Sequence, residues 1–357
     1  MTERLRLDFD WGLLGSVVLL SAFGLFILGS AAPSPGFVVR QALWMGLGFI
    51  LLAGLQLLDK PLLYRLSWAL YLLSIVLLLA VLVLGKEVNG ARAWFALGPV
   101  RFQPSEFAKL ALILVLAQVL AGRDLRRLSA YVWPLLLALP PVVLTLVEPD
   151  LGGAMVMLAI VFGMFFAAGL PWRHLAVAGA SLLVAFPTLV WPHLRPHQKE
   201  RILTLLNPTR DPLGSGFQVI QSMIAIGSGG LTGKGYGQGT QSQLGFIPFR
   251  HTDFIFAVLA EEMGLVGGLI LFGLYGLFFW RLFALSLELP QARDRLLVAG
   301  VFSMIAFQVL VNIGVTLGLA PVTGLTLPFI SYGGTSMLTL FFAVGMVELV
   351  YRDRLIA

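Results

Sequence analysis

The ionisable residues of this chain are few, and several stand where apolar runs begin or end. Glu106 and Lys109 open one such run, three residues apart and so on neighbouring positions of one helical face. Glu148 and Asp150 flank a proline in the turn Glu148-Pro149-Asp150. Asp253 opens another run directly after His251-Thr252. Between positions 192 and 252 lie Arg195, Lys199, Arg201, Arg210, Lys234 and Arg250, against only Glu200 and Asp211. A placed carboxylate can act as a general base. Backbone amides of glycine-rich turns and Lys or Arg side chains both bind phosphate groups. The set therefore suits an anionic, phosphate-bearing substrate. Taken singly, each residue also has a structural explanation. Glu106 is an acidic first-turn residue favoured by the helix dipole, Lys109 a snorkelling lysine, Glu148 and Asp150 a polar turn, and Asp253 an N-cap.

Common catalytic motifs are missing. The run Gly227 to Gly239 contains Gly-Ser-Gly-Gly-Leu-Thr-Gly-Lys-Gly, but the Walker spacing needs glycine at 228 and Ser or Thr at 235, where the chain has Ser228 and Gly235. There is no His-Glu-x-x-His and no Gly-x-Ser-x-Gly. His193 and His197 are four apart with Pro196 between them, which argues against one helical face. With no cysteine in the sequence, disulfides, thiolate catalysis and Cys-ligated metals are excluded.

The elements that must position these residues follow from composition. Of the 357 residues 58% are hydrophobic and 12% charged, with a mean hydropathy of +0.91. Soluble proteins carry about 25% charged residues, so this composition cannot cover a water-facing surface. Val17 to Leu28 and Leu66 to Leu84 contain no Asp, Glu, Lys or Arg. Runs near 20 residues match a hydrocarbon core of roughly 30 Å, and the lack of alternation favours helices over a barrel. The first apolar run has no small-residue cleavage site after it and reads as a retained helix.

Hydropathy predicts ten spans, near 11–30, 37–58, 62–84, 105–121, 132–147, 152–169, 175–191, 254–280, 296–319 and 328–350. The expected fold is an all-α polytopic membrane protein, one transmembrane domain over 1–357. With both termini cytoplasmic, thirteen of the 24 lysines and arginines fall in inner segments, as the positive-inside rule asks. Pro140-Pro141 should kink the fifth span. The long extracytoplasmic loop 192–252 separates helices seven and eight, and about 60 residues there implies function or disorder. Its apolar stretch, Phe217 to Ile226, predicts an amphipathic or re-entrant helix. In this topology Glu106, Lys109, Glu148, Asp150 and Asp253 all reach the outer face, where costly charges usually line a cavity or pathway. Glu261 and Glu262 lie roughly 12–14 Å further along the eighth helix. The sequence offers them no partner, and they are assigned to structure.

Several long motifs occur in order: Gly98-Pro-Val-Arg-Phe-Gln-Pro-Ser-Glu-Phe-Ala-Lys109, Glu148-Pro-Asp-Leu-Gly152 and Arg201-Ile-Leu-Thr-Leu-Leu-Asn-Pro208. They continue with Gln221 to Gly245, His251-Thr-Asp-Phe-Ile-Phe-Ala-Val-Leu-Ala-Glu-Glu262 and Leu327-Pro-Phe-Ile-Ser-Tyr-Gly-Gly334. With these motifs the chain resembles the SEDS family (shape, elongation, division and sporulation) along nearly its whole length. The short N-terminus and Gly239-Thr-Gln-Ser-Gln-Leu244 resemble the cell-elongation branch over the division branch. Two positions depart from the family pattern: Ala93 stands where arginine is usual, and Phe249 where glutamate is common. Arg92 and Arg101 are the nearby candidates to replace the missing arginine.

The resemblance implies a peptidoglycan glycosyltransferase that polymerises lipid II at the outer face of the bacterial cytoplasmic membrane. It implies a class B penicillin-binding protein, a transpeptidase, as partner, and no nucleic acid. It places the family's essential aspartate on Asp253, its Pro-Ser-Glu-x-x-Lys pair on Glu106 and Lys109, and its acidic turn on Asp150. Asp253 is then the candidate base, and Lys109, Arg201 and Lys234 are candidate cations for a pyrophosphate leaving group. A divalent cation could share that task with Glu106 or Asp150. The residues alone leave two rivals open, a flippase for the same lipid-linked precursor and a non-catalytic scaffold for the transpeptidase.

Overall fold

Asp10 starts the first helix: its carboxylate accepts the Leu13 amide at 2.6 Å, which satisfies one of the donors a helix start leaves open. Similar local signals set the others, with Pro35, Pro61 and Pro104 in first turns and Asp150 capping through Gly153. The computed structural model describes residues 9–88, 91–98, 100–185, 187–188, 191–193, 199–200, 203–205, 207–211 and 214–355. Its helices are α1 (Trp11–Ala31), α2 (Pro35–Leu55), α3 (Lys60–Leu84), α4 (Pro104–Leu120), α5 (Ser129–Val147), α6 (Leu151–Ala167) and α7 (Trp172–Ala185). After them come α8 (Ser215–Gly229), the single turn α9 (Thr240–Gln243), α10 (Ile255–Glu288), α11 (Ala292–Thr316) and α12 (Gly334–Arg352).

Each of the ten predicted spans contains one helix, and α8 is the helix expected inside the long loop. Among the described residues seven helices are long and apolar enough to cross a membrane, and α6 is a shorter apolar one. The chain is an all-α polytopic membrane protein. One small addition was not foreseen. Residues read as a plain connection form an antiparallel meander of β1 (Lys86–Val88), β2 (Ala91–Leu97) and β3 (Val100–Phe102). Helix edges also move: α10 runs on to Glu288, and α12 begins at Gly334 because 317–333 is not helical. Helix α5 continues through Pro134, Pro140 and Pro141.

The core lies around α10, α11 and α12, where 67% of the most apolar window is buried, against 28% in α2 and α3. Helix α11 packs on α4, α6 and α10, while α12 packs on α2 and α1 on α10. At one end of the bundle the start of α1 meets the ends of α10 and α12. The Asp10 amide donates to Glu348 Oε2 at 2.9 Å, and Arg281 pairs with the Asp10 carboxylate. Nearby, buried Lys60 pairs with buried Asp294 at 3.0 Å, and Tyr64 donates to Asp294 at 2.7 Å. The outer ends of the first and last helices thus share one side, so the bundle crosses an even number of times. Glu106, Lys109, Asp150 and Asp253 belong to helix ends on the opposite side.

Candidate functional site

The N-termini of α4 and α6 bring the first group together. Lys109, fully buried, donates to Glu106 Oε1 at 2.7 Å across one helical turn. Asp150 caps α6: one carboxylate oxygen accepts the Gly153 amide at 2.8 Å. The other oxygen accepts Gln103 Nε2 at 3.0 Å and Ser105 Oγ at 3.2 Å, both from the entry to α4. Burial raises the Asp150 carboxyl above its ordinary range, opposed by the Gly153 bond and the Lys109 charge and reinforced by Glu106. Two residues earlier, Glu148 is fully buried and neither of its carboxylate oxygens has a protein partner. Burial first, then the Asp150 charge, pushes its pKa up to about 8.

Asp253 stands in the turn before α10, and the segment 317–333 frames it. Asn312 Nδ2 donates to the Asp253 carbonyl at 2.9 Å and to the Leu325 carbonyl at 2.7 Å. The Tyr332 amide donates to the His251 carbonyl at 2.9 Å, and Ser331 Oγ donates to the Thr252 carbonyl. Gln41 of α2 donates to the Ser331 carbonyl at 3.0 Å. His251 lies in an aromatic nest with Phe37 and Tyr332, and burial, then Arg250, holds its imidazole below the ordinary range. Gly324 has φ +75, and a Cβ there would stand 3.9 Å from an Asp253 carboxylate oxygen. A Cβ on Gly152 would stand 2.7 Å from the Thr323 carbonyl. Segment 323–325 therefore touches both the α6 cap and the Asp253 turn, and links the two groups of carboxylates.

Lys234 and the glycine run have a different setting. Helix α10 is broken at Gly264, which has φ +61. In an unbroken helix the Leu265 and Val266 amides would bond to the carbonyls of Glu261 and Glu262. Here they bond to the carbonyls of Gly230 and Leu231, at 2.9 and 3.1 Å, and the released carbonyls accept the amides of Lys234 and Gly235, both at 3.0 Å. The glycine run thus completes the broken helix, which meets the membrane demand that every backbone group be satisfied. Side chains at Gly233 or Gly264 would collide with the facing backbone. Lys234 Nζ pairs with Glu261 at 2.8 Å, and Glu261 also accepts the amides of Gln241 and Ser242 at 2.8 and 2.9 Å. Glu262 turns the other way, to Ser30 of α1 and to Gln243 at 3.1 Å.

Of the six predicted site residues, Glu106, Lys109 and Asp150 form one connected group, Asp253 joins them through 323–325, and Lys234 pairs with Glu261. Arg201 lies outside the described residues. In the meander Ala93 is buried, while Arg92, Trp94 and, through the Ala96–Arg101 register, Arg101 alternate onto the other face. The two candidate replacements therefore occupy the face opposite position 93. Reasoning from sequence missed Asn312, Ser331 and Gln41 as parts of the site. Their signal is an amide or hydroxyl inside an apolar run. Among the described residues no group of three or more His, Asp or Glu could hold a metal ion. These residues form no ready-made metal cage.

Fold and site together define a polytopic helical membrane protein with a carboxylate-rich centre at one end of its bundle. Residues 5–355 match the family model described as cell cycle protein, that of FtsW, RodA and SpoVE, and the chain belongs to this family, also called SEDS. It is 40% identical over 343 residues to peptidoglycan glycosyltransferase MrdB of Escherichia coli strain K12, covering 95% of this chain and 92% of that protein. It is 33% identical to peptidoglycan glycosyltransferase RodA of Treponema pallidum, covering 95% and 96%. A chain from a peptidoglycan synthase complex that coordinates polymerization and crosslinking matches with a TM-score of 0.87 at 53% identity, over 97% of this chain and 98% of that one. The crystal structure of the rod shape determining protein RodA of Thermus thermophilus matches at 0.76 and 45%, over 98% of each chain.

Proposed function

We propose that this chain is a peptidoglycan glycosyltransferase that polymerises lipid II during cell elongation. The reading rests on the family relationship, and the observation that carries it to these residues is the convergence of Glu106, Lys109, Asp150 and Asp253 around segment 323–325. The 4-hydroxyl of an acceptor sugar attacks the anomeric carbon of a donor held on polyprenyl pyrophosphate. The new carbon–oxygen bond forms as the bond to phosphate breaks, with inversion at that carbon. The hydroxyl proton passes to the Asp253 carboxylate, and pyrophosphate leaves with the bonding electrons. A sugar hydroxyl is a poor nucleophile at neutral pH, so a placed base contributes about 100- to 10,000-fold. Lys109, Lys234 and Arg201 are the proposed cations for the leaving group, with Glu106 holding Lys109 and Asp150 a substrate-binding group beside them. Lys109 and Lys234 are each fixed by a carboxylate, which pre-sets the position of the ammonium. No step is routed through a metal.

The protein would lie in the bacterial cytoplasmic membrane with its site outward, since the basic inner segments favour that orientation. The polyprenyl tails would stay in the bilayer, which accounts for a glycosyltransferase built as a helical bundle. A class B penicillin-binding protein is the proposed partner, in keeping with the synthase complex that the chain resembles. A flippase would need a path open to both sides, whereas the end opposite the site is knitted together by the Asp10–Arg281 and Lys60–Asp294 pairs.

The test is polymerisation of labelled lipid II by the purified chain with its cognate transpeptidase, comparing wild type with Asp253→Asn. Polymer from wild type and none from a folded, complexed variant would support the reading. Equal rates would remove Asp253 from catalysis. An inactive but well-folded wild-type complex would bring the flippase and scaffold readings forward.

A further inference from the structure

Lys234 and Glu261 are 27 positions apart, and their ion pair closes the intervening chain into a ring. The ring leaves the glycine run at Lys234, passes through α9, turns at 250–253 and returns along the first part of α10. Asp253 lies on it. Glu261 is fully buried and holds the ring shut at three further points: the amides of Gln241 and Ser242 and the Thr240 hydroxyl at 3.3 Å. Beside it, the exchanged backbone bonds at Gly264 fix the glycine run to α10. On its far side the ring is held by Arg250 Nε to the Ala31 carbonyl at 3.0 Å, and by Tyr332 and Ser331 at His251 and Thr252. The ring is thus pinned on both sides of Asp253; at the inner pin main-chain bonds hold Lys234, and the Glu261 carboxylate alone adds the start of α9 and the Lys234 ammonium.

We infer that Glu261 is a positioning residue for the polymerase reaction: by closing this ring on Lys234 and the start of α9, it fixes where Asp253 stands. The physical argument is one of charge and donors. Four donors point at the Glu261 carboxylate, and none of them can accept a hydrogen bond except the Thr240 hydroxyl. A glutamine at this position would put an NH2 group against an ammonium or an amide, so at least one donor would turn away. An aspartate keeps the charge and both acceptors on a shorter stem. Misplacing a reacting group by about 1 Å costs on the order of 100-fold in rate, so a loosened ring reaches the chemistry without Glu261 touching substrate.

The inference rests on the proposed polymerase reading for its catalytic half only, so the test has two arms. In the first, Glu261→Gln and Glu261→Asp are compared with wild type for lipid II polymerisation in the complex with the transpeptidase, with unfolding midpoints checked. In the second, the absence of cysteine allows spin labels to be placed uniquely at Leu244→Cys, on the ring, and Leu319→Cys, on segment 317–333. Both positions are exposed. The expected result is a fall in kcat on the order of 100-fold for Glu261→Gln. KM should stay near the wild-type value, the label-to-label distances should broaden, and both kcat and distances should be partly restored in Glu261→Asp. Wild-type kcat in Glu261→Gln would overturn the inference, as would a fall in kcat with wild-type distances. An inactive wild type would count against the polymerase reading alone. The distances would then decide the ring: unchanged in Glu261→Gln, they overturn it; broadened, they support it.

Discussion

Asn312 and Asp253 are joined through the main chain: the buried Asn312 amide donates to the Asp253 carbonyl at 2.9 Å while it also holds the Leu325 carbonyl at 2.7 Å. One buried side chain near the end of α11 thus sets the spacing between the aspartate turn and the segment that faces it. Asn312→Ala leaves two carbonyls without this donor, at a cost of about 1–3 kcal/mol for each one left unsatisfied. The expected outcome is a lower unfolding midpoint together with slower polymerisation, read by thermal unfolding and by the lipid II assay.

The Glu106–Lys109 pair predicts an asymmetry between single and double replacements. Lys109→Met leaves a nearly buried carboxylate without its cation, and breaking a buried pair this way costs about 3–5 kcal/mol. Replacing both residues by apolar ones of similar volume should recover most of that stability but no activity. Thermal unfolding of the three variants beside their polymerisation rates would show whether stability and catalysis separate as expected.

Glu148 predicts a pH dependence with a definite sign. Its folded pKa, about 8, lies above the ordinary value of 4.5, so the folded state holds the proton more tightly than the unfolded one. This contribution to stability is complete below pH 4.5 and falls away as pH rises towards 8. Glu148→Gln should flatten the unfolding midpoint between these limits, leaving less decline at pH 8 than wild type shows. An identical pH profile in the two proteins would mean that Glu148 ionises normally in the fold.

Gly264→Ala tests the broken helix. The residue has φ +61, and an added Cβ would stand 2.4 Å from the Gly233 nitrogen and 2.6 Å from Leu231. Strain in this backbone region, about 1–3 kcal/mol by itself, and the collision act together, so the loss should exceed the strain alone. Hydrogen exchange at Lys234, Gly235, Leu265 and Val266 should accelerate as a group, since those four amides make the exchanged bonds.

The helices were legible because a bilayer imposes length on apolar runs. Helix α8 was legible for a related reason, the apolar spacing from Phe217 to Ile226 inside a polar loop. Glu106, Lys109 and Asp150 could be placed together once topology put the starts of α4 and α6 on one side. Hydropathy misread 328–333 as helix because Leu327 to Ile330 is apolar, although Pro321 and Pro328 were available as signals against it. The break at Gly264 was invisible because its compensation comes from a distant part of the chain, the glycine run at 230–235. Asn312 and Ser331 act through main-chain carbonyls: Ser331 sits within the motif Leu327 to Gly334 and Asn312 within an apolar run, but neither carries a charge that would mark such a contact.

The joining of Asp10 to Glu348 across 338 residues has a consequence for how the molecule is made. Synthesis proceeds at about 5–20 residues per second, so roughly 17–70 s separate the emergence of the two partners. During that interval Asp10, which ends up 5% exposed, has the Leu13 amide beside it, but of its two distant partners only Arg281 precedes Glu348, and it too arrives late. The first helix must therefore sit in the bilayer without its main neighbour until α10 is threaded, and its Asp10 amide without Glu348 until α12 follows. A chain stopped before α12 would leave the Asp10 amide without Glu348 and the face of α2 that α12 covers open to lipid.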